Sequence, residues 1–233
     1  HTRYWRDWSS DVCSSDLDES SCIARALEGT IRAHADRLLS RDAVAGLISD
    51  LAARQPALVA QSTGESLPLS RIHRTLQLLV REGVPIRPLA EVLEILADHA
   101  GDGSGPAALA DAVRLERAPT IRRRLRDADG RLVVVRLASA AIEAILAPRS
   151  PSAGAAREAA RVVSLVRRAL SPRVERGAPA VVVVPGGVRQ AVRDRLVRQI
   201  PAVRVLAEEE VADEESLVVF VTVGGEEATA RAA

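Results

Sequence analysis

The sequence contains no lysine and no methionine, and its only aromatic residues are Tyr4, Trp5, Trp8 and Phe220. All 32 basic residues are therefore arginine, and Ala, Val and Leu must do the packing in a chain that is 47% hydrophobic. No aromatic lies near the densest arginine run, so the stacking platform of single-strand nucleic-acid binders is missing. Arg, Ala, Gly and Pro share GC-rich codons, and the arginine excess reads first as genomic bias. Two cysteines, Cys13 and Cys22, make neither a disulfide framework nor a metal motif, which fits a reducing compartment. Cys22 lies on an apolar stripe and reads as a small buried residue. No apolar run approaches the ~18 residues of a membrane span, and no stretch has the form of a secretory leader.

The charge that is present is unevenly spread. The net value is +1, which by itself points to no polyanionic partner. Arg114 to Arg204 nevertheless holds 20 arginines against 7 acids, a local excess of 13. Beyond Arg204 the sign reverses through Glu208, Glu209, Glu210, Asp213, Glu214, Glu215, Glu226 and Glu227, opposed only by Arg231.

The opening tract, residues 1–17, has another character. It holds both tryptophans, the tyrosine and Cys13, and residues 7–17 (DWSSDVCSSDL) resemble the in-frame translation of a short-read sequencing adapter. The expectation is that native sequence begins near Asp18, that part of the natural protein is missing before it, and that Trp5, Trp8 and Cys13 carry no function.

Periodicity divides the remainder. Residues 22–40 carry a helical stripe on Ile23, Leu27 and Ile31, followed by Leu38 and Leu39. Ser40 or Asp42 offers a cap for a helix on Val44, Leu47, Ile48 and Leu51, limited by Pro56. Residues 61–68 read as a turn. Ser70 is placed as the cap of a helix on Ile72, Leu76, Leu79 and Val80 that stops at Gly83, and Pro88 opens another on Leu89, Val92, Leu93 and Leu96. Residues 41–100 thus form a helical unit, closed by the Gly-rich linker 101–106. Afterwards helices and strands alternate: a helix over 107–126 broken at Pro119, a strand on Leu132–Val135, a helix capped by Ser139, a helix over 155–170, the strand Val181–Val184, a helix over 188–200, and strands at 203–206 and 217–223. The expected fold is α+β or α/β mixed, a small helical subdomain followed by an α/β subdomain with a small mixed sheet.

Candidate chemistry is sparse. The Val184-Pro185-Gly186-Gly187 turn between strand and helix could hold a phosphate on helix amides, yet it lacks both the Walker pattern and GxGxxG; the alternative is a plain βα turn. Ile121 to Arg126, with Arg114 and Arg117, could face nucleic acid; the alternatives are a solvated helix face or pairing with the C-terminal acids. His34, His73 and His99 are scattered, and Asp98-His99 has no marked nucleophile beside it. No catalytic, metal or cofactor constellation emerges, so the expectation is a binding module and not an enzyme. A helical and α/β DNA-binding regulator and a small nucleotide-binding α/β domain stand as alternatives.

The segment Ser70 to Asp98, SRIHRTLQLLVREGVPIRPLAEVLEILAD, resembles the cytoplasmic part of the flagellar and virulence type III export-gate family (FlhA/SctV type). Ile72, Leu76, Gln77, Leu79, Glu82, Val84, Pro85, Ile86, Arg87, Leu89, Leu93, Glu94, Leu96 and Ala97 carry the likeness, and Pro88 stands where the family has an acidic cap. Val113, Arg114, Arg117 and Ile121 extend it, as do Val184, Pro185, Arg189, Leu196, Pro201, Val205, Leu206 and Glu210. The resemblance implies an end of a preceding subdomain over 18–40, a helical subdomain over 41–105 and an α/β subdomain over 106–233. It implies a nonameric ring at the cytoplasmic face of the bacterial inner membrane, joined to the membrane through a missing N-terminal half. The implied partners are export chaperones, secreted proteins and other export-apparatus subunits, with no nucleic acid and no cofactor. The corner Glu82, Pro85, Ile86 and Arg87 is the expected protein-interaction site, with Glu82 and Arg87 making charged contacts to a neighbouring subunit or pairing within the chain.

Overall fold

Residues 19–101, 103–147 and 152–224 are described by the computed structural model. They divide into two units, His1–Val113 and Arg114–Ala233. The tract 1–17, read above as foreign, lies outside the described residues.

The first unit is helical. Its helices are α1 (Glu19–Ala33), α2 (Ala35–Leu38), α3 (Arg41–Ala52), α4 (Pro56–Ser62), α5 (Leu69–Arg81), α6 (Leu89–Asp98) and α7 (Pro106–Glu116), with the unit boundary inside α7. The single stripe expected over 22–40 breaks at His34, and Ile23, Leu27 and Ile31 stand 68%, 58% and 48% exposed. The Cys22 side chain lies outside the described residues. Ser40 caps α3, its hydroxyl accepting the Ala43 N–H at 3.1 Å. Of the four positions expected inward on α3, Val44 is buried, while Leu47, Ile48 and Leu51 are half-buried.

Two helix starts differ from expectation. Pro56 opens α4 at its first turn, where a missing N–H costs nothing, and residues expected to begin the following turn belong to that helix. Pro68, and not Ser70, is the cap residue of α5; Ser70 lies inside the helix. The amphipathic reading of α5 and α6 holds: Ile72, Leu76, Leu79, Val92, Leu93 and Leu96 are all fully buried, each contributing about 1.5–3 kcal/mol relative to exposure. Thr75 is buried among them and donates its hydroxyl to the Arg71 carbonyl at 2.9 Å.

Gly83 closes α5. Its φ of 73° is left-handed, the Gly83 N–H reaches the Val80 carbonyl at 2.9 Å, and the Val84 N–H reaches the Leu79 carbonyl at 2.9 Å. This double closure is the Schellman arrangement, with buried Val84 and Leu79 as its apolar pair.

The second unit holds α8 (Ala118–Leu125), β1 (Leu132–Leu137), α9 (Ser139–Leu146), α10 (Ala153–Glu175), β2 (Ala180–Val184), α11 (Gly186–Leu196), β3 (Val203–Ala207), a 3-10 turn (Glu209–Val211) and β4 (Leu217–Val223). The sheet order is β3-β2-β1-β4 and all three pairings are parallel, so the expected mixed sheet is wholly parallel. Helical crossovers place β2 beside β1 and β3 beside β2; the chain then passes to the far edge, where β4 pairs with β1. β2 is buried along its whole length, which explains four consecutive valines without alternation. One cluster joins Val135, Val182 and Val205 of the sheet with Ile142, Val166 and Val192 of α9, α10 and α11. At the edge, the β1–β4 register slips between Val134 and Val135, and Phe220 bulges out exposed. Ser139 is the first residue of α9 and does not cap it, and α10 continues through Pro172 to Glu175. No helix among the described residues is long and apolar enough to cross a membrane.

Replacing Gly83 by Ala is expected to destabilise the chain by about 1–2 kcal/mol, because a Cβ is disfavoured in left-handed backbone. Urea denaturation of the two proteins measures this, and equal midpoints would contradict the account.

Candidate functional site

The expected interaction corner lies between α5 and α6, and the structure treats its four residues differently. Glu82 is 9% exposed and its backbone N–H closes the helix on the Leu78 and Leu79 carbonyls, each at 3.1 Å. Pro85 and Ile86 are half-buried, and Arg87 is exposed. Neither Glu82 nor Arg87 is free of partners. The corner therefore presents Pro85, Ile86 and Arg87 outward, while Glu82 belongs to the interior.

On the far side of α5, two polar side chains hold the carbonyl end of α2. His73 Nε2 lies 2.8 Å from the Leu39 carbonyl, and Gln77 Nε2 donates to the Asp36 carbonyl at 3.1 Å and to that of Leu39 at 3.3 Å. These carbonyls have no helical partner of their own, so the contacts satisfy them. The other marked histidine is ordinary: His99 Nδ1 meets the Ile95 carbonyl at 2.9 Å, and the neighbouring Asp98 is exposed.

The arginines of the second unit are answered by its acids. Arg114 is buried and lies 2.9 Å from Glu210 Oε1; the two side chains are 4% and 3% exposed. Arg114 also donates to the Val205 carbonyl at 3.2 Å. Glu210 Oε2 accepts the Ala207 N–H at 2.6 Å. Arg122 donates to the Glu210 carbonyl at 2.9 Å and lies 3.1 Å from Glu214 Oε2. Arg126 reaches Glu214 Oε1 at 2.9 Å, and the Ser216 hydroxyl and amide donate to the same oxygen. Burial pushes the Glu214 carboxyl up, but the Ser216 hydrogen bonds and the Arg126 charge outweigh it and hold the group below its ordinary value of 4.5. Arginine remains protonated throughout, so this arrangement is a fixed charge clamp and not a proton relay. Pairing with the C-terminal acids, one of the readings open for Arg114 and its neighbours, is the geometry found; only Arg123 and Arg124 of the 121–126 run stand exposed without such a bridge.

The Gly186-Gly187 turn opens α11. A Cβ on Gly186 would lie 2.8 Å from Glu209 Oε2. The protein's own carboxylate thus fills the space beside the helix N-terminus, where it complements the positive dipole end and occupies the place a bound phosphate would need. Among the described residues there is no cluster of His, Cys, Asp or Glu able to hold a metal.

The chain thus combines a helical unit with a parallel-sheet unit that contains a buried Arg–Glu clamp. The sequence profile of the FHIPEP family matches residues 12–216, and the chain belongs to that family. The match begins within the tract read above as foreign. The chain is 28% identical over 211 residues to the flagellar biosynthesis protein FlhA of Escherichia coli K12, covering 90% of this chain and 30% of that protein; it spans about 30% of the length of this curated relative. The fold matches that of nonameric SctV-C from EPEC, with a TM-score of 0.72, 23% identity, and 86% of this chain and 62% of that one covered. It also matches the CdsV–CdsO complex of Chlamydia pneumoniae, with a TM-score of 0.68, 21% identity, and 84% and 58% covered.

Removing one side of the clamp leaves a buried charge unmatched. Glu210→Ala is expected to cost about 3–5 kcal/mol, read by chemical denaturation; a loss below 1 kcal/mol would show that the pair is not a structural requirement. Glu214 supplies a pH test. A depressed carboxylate stabilises the fold above its unfolded value and loses that contribution as pH falls. The stability advantage of the wild type over Glu214→Gln is therefore expected to be full at neutral pH and to shrink below pH 4.5.

Proposed function

We propose that this chain is the cytoplasmic ring and docking part of a type III protein-export gate, at the inner face of the bacterial inner membrane. In this reading it binds export chaperones and their cargo, contacts other export-apparatus subunits and catalyses no reaction itself; its attachment to the membrane belongs to the rest of the protein. The observation that carries the reading is the family match running through both units, 205 consecutive residues from 12 to 216, together with the likeness to a chain that assembles as a nonamer. Partner docking is supported by the fold match to CdsV, which is seen in complex with CdsO. The α5–α6 corner serves as a contact to the neighbouring subunit through Pro85, Ile86 and Arg87, with Glu82 supporting it from within.

The test is a secretion assay in the source bacterium. Deleting the gene is expected to abolish export of flagellar or injectisome substrates into the medium, and the complete wild-type protein should restore it. The complete protein carrying Arg87→Glu should restore it at least several-fold less well and form fewer rings by electron microscopy. Normal secretion in the deletion strain would overturn the export reading; full rescue by Arg87→Glu would remove only the corner's role.

A further inference from the structure

In the helical unit a second feature stands apart from the α5–α6 corner. A concavity of about 440 Å³ is lined by Arg41, Ser70, Arg71, His73, Arg74 and Pro106. Arg41 and Arg74 are exposed, and among the described residues neither makes an ion pair or hydrogen bond. Among the described residues Arg71 is held by backbone carbonyls, those of Ser66, Gly101 and Ser104, which orient its charge. His73 is fixed through Nε2 on the Leu39 carbonyl and forms a wall. Arg41 is the first residue of α3, so the positive end of that helix adds to the field. Among the described residues no carboxylate lines the space, and Asp42, next to Arg41 in sequence, is not part of the lining.

Three guanidinium groups, one of them pre-oriented, around an open concavity constitute an oxyanion receptor. We propose that this concavity binds clustered carboxylates of an acidic polypeptide segment. The cations come from two helices, Arg41 from α3 and Arg71 and Arg74 from α5, so three positive groups border one concavity and complement a segment carrying several carboxylates. No Phe, Tyr or Trp is among the lining residues; the one ring there, His73, is tied to the Leu39 carbonyl through Nε2. Pro106 and the Ser70 hydroxyl offer an apolar contact and a donor beside the charges, as a peptide backbone requires. The site adds a docking chemistry to the helical unit and stands or falls independently of ring formation.

The chain itself is titrated with a fluorescein-labelled Glu-Ser repeat peptide at low and moderate salt, with inorganic phosphate as competitor. Binding that weakens with salt is expected, with the double variant Arg41→Ala/Arg74→Ala about tenfold weaker. The double variant Arg123→Ala/Arg124→Ala, which removes two exposed arginines of α8, should bind as the wild type does. Arg41→Gln/Arg74→Gln, checked by circular dichroism, guards against loss of fold and should show the same loss of affinity. Absence of peptide binding, equal loss in the α8 variant, or displacement of peptide by phosphate at comparable concentration would each overturn the proposal.

Discussion

Glu210 is the side chain on which the α/β unit turns. Its carboxylate accepts the Ala207 amide at the end of β3 and faces Arg114 at the end of α7, while its own carbonyl takes a hydrogen bond from Arg122 of α8. A charge at 3% exposure would be costly alone. Here it is matched by a guanidinium equally buried, and the pair fixes where the chain turns after β3. Glu214 repeats the device one turn later, binding Arg122 and Arg126 and receiving the Ser216 amide that precedes β4. Two acids thus tie three arginines to the segment that carries the chain from one sheet edge to the other.

This explains why a local excess of arginine does not produce a uniformly basic surface. The residues that look most like a nucleic-acid face, Arg114 and Arg122, are buried and spent on Glu210, 96 and 88 positions away in sequence. Within residues 121–126, Arg123 and Arg124 are the exposed arginines without such a bridge. In the helical unit the balance differs: among the described residues Arg41, Arg71 and Arg74 meet no carboxylate.

A similar substitution occurs at the βα turn. Strand, Gly-Gly and helix make a phosphate-type geometry, but Glu209 lies against Gly186. The carboxylate supplies from within what an anion would supply from outside, so the same glycine that could admit a phosphate admits a side chain instead.

The periodic elements were legible in the sequence because burial on one face imposes its own spacing. Ile72, Leu76, Leu79, Val92, Leu93 and Leu96 sit at helical intervals, and the Val181–Val184 run has no register other than a strand covered on both faces. The export-gate likeness was legible in part for the same reason, since it rests on core positions such as Ile72, Leu76, Leu79, Leu93 and Leu96 together with Glu82 and the Val84–Arg87 corner. Other features depended on partners that local sequence does not name. Pro56, expected to limit one helix, also starts the next, and the cap of α5 falls on Pro68 and not on Ser70. Glu82, expected to contact a neighbouring subunit or to pair within the chain, is buried at the C-cap of α5. The all-parallel sheet follows from β4 pairing with β1, an arrangement between segments some eighty residues apart. Sequence determined which residues must leave water; only the tertiary structure decided which charges met inside it, because ion pairing depends on distances that periodicity does not encode.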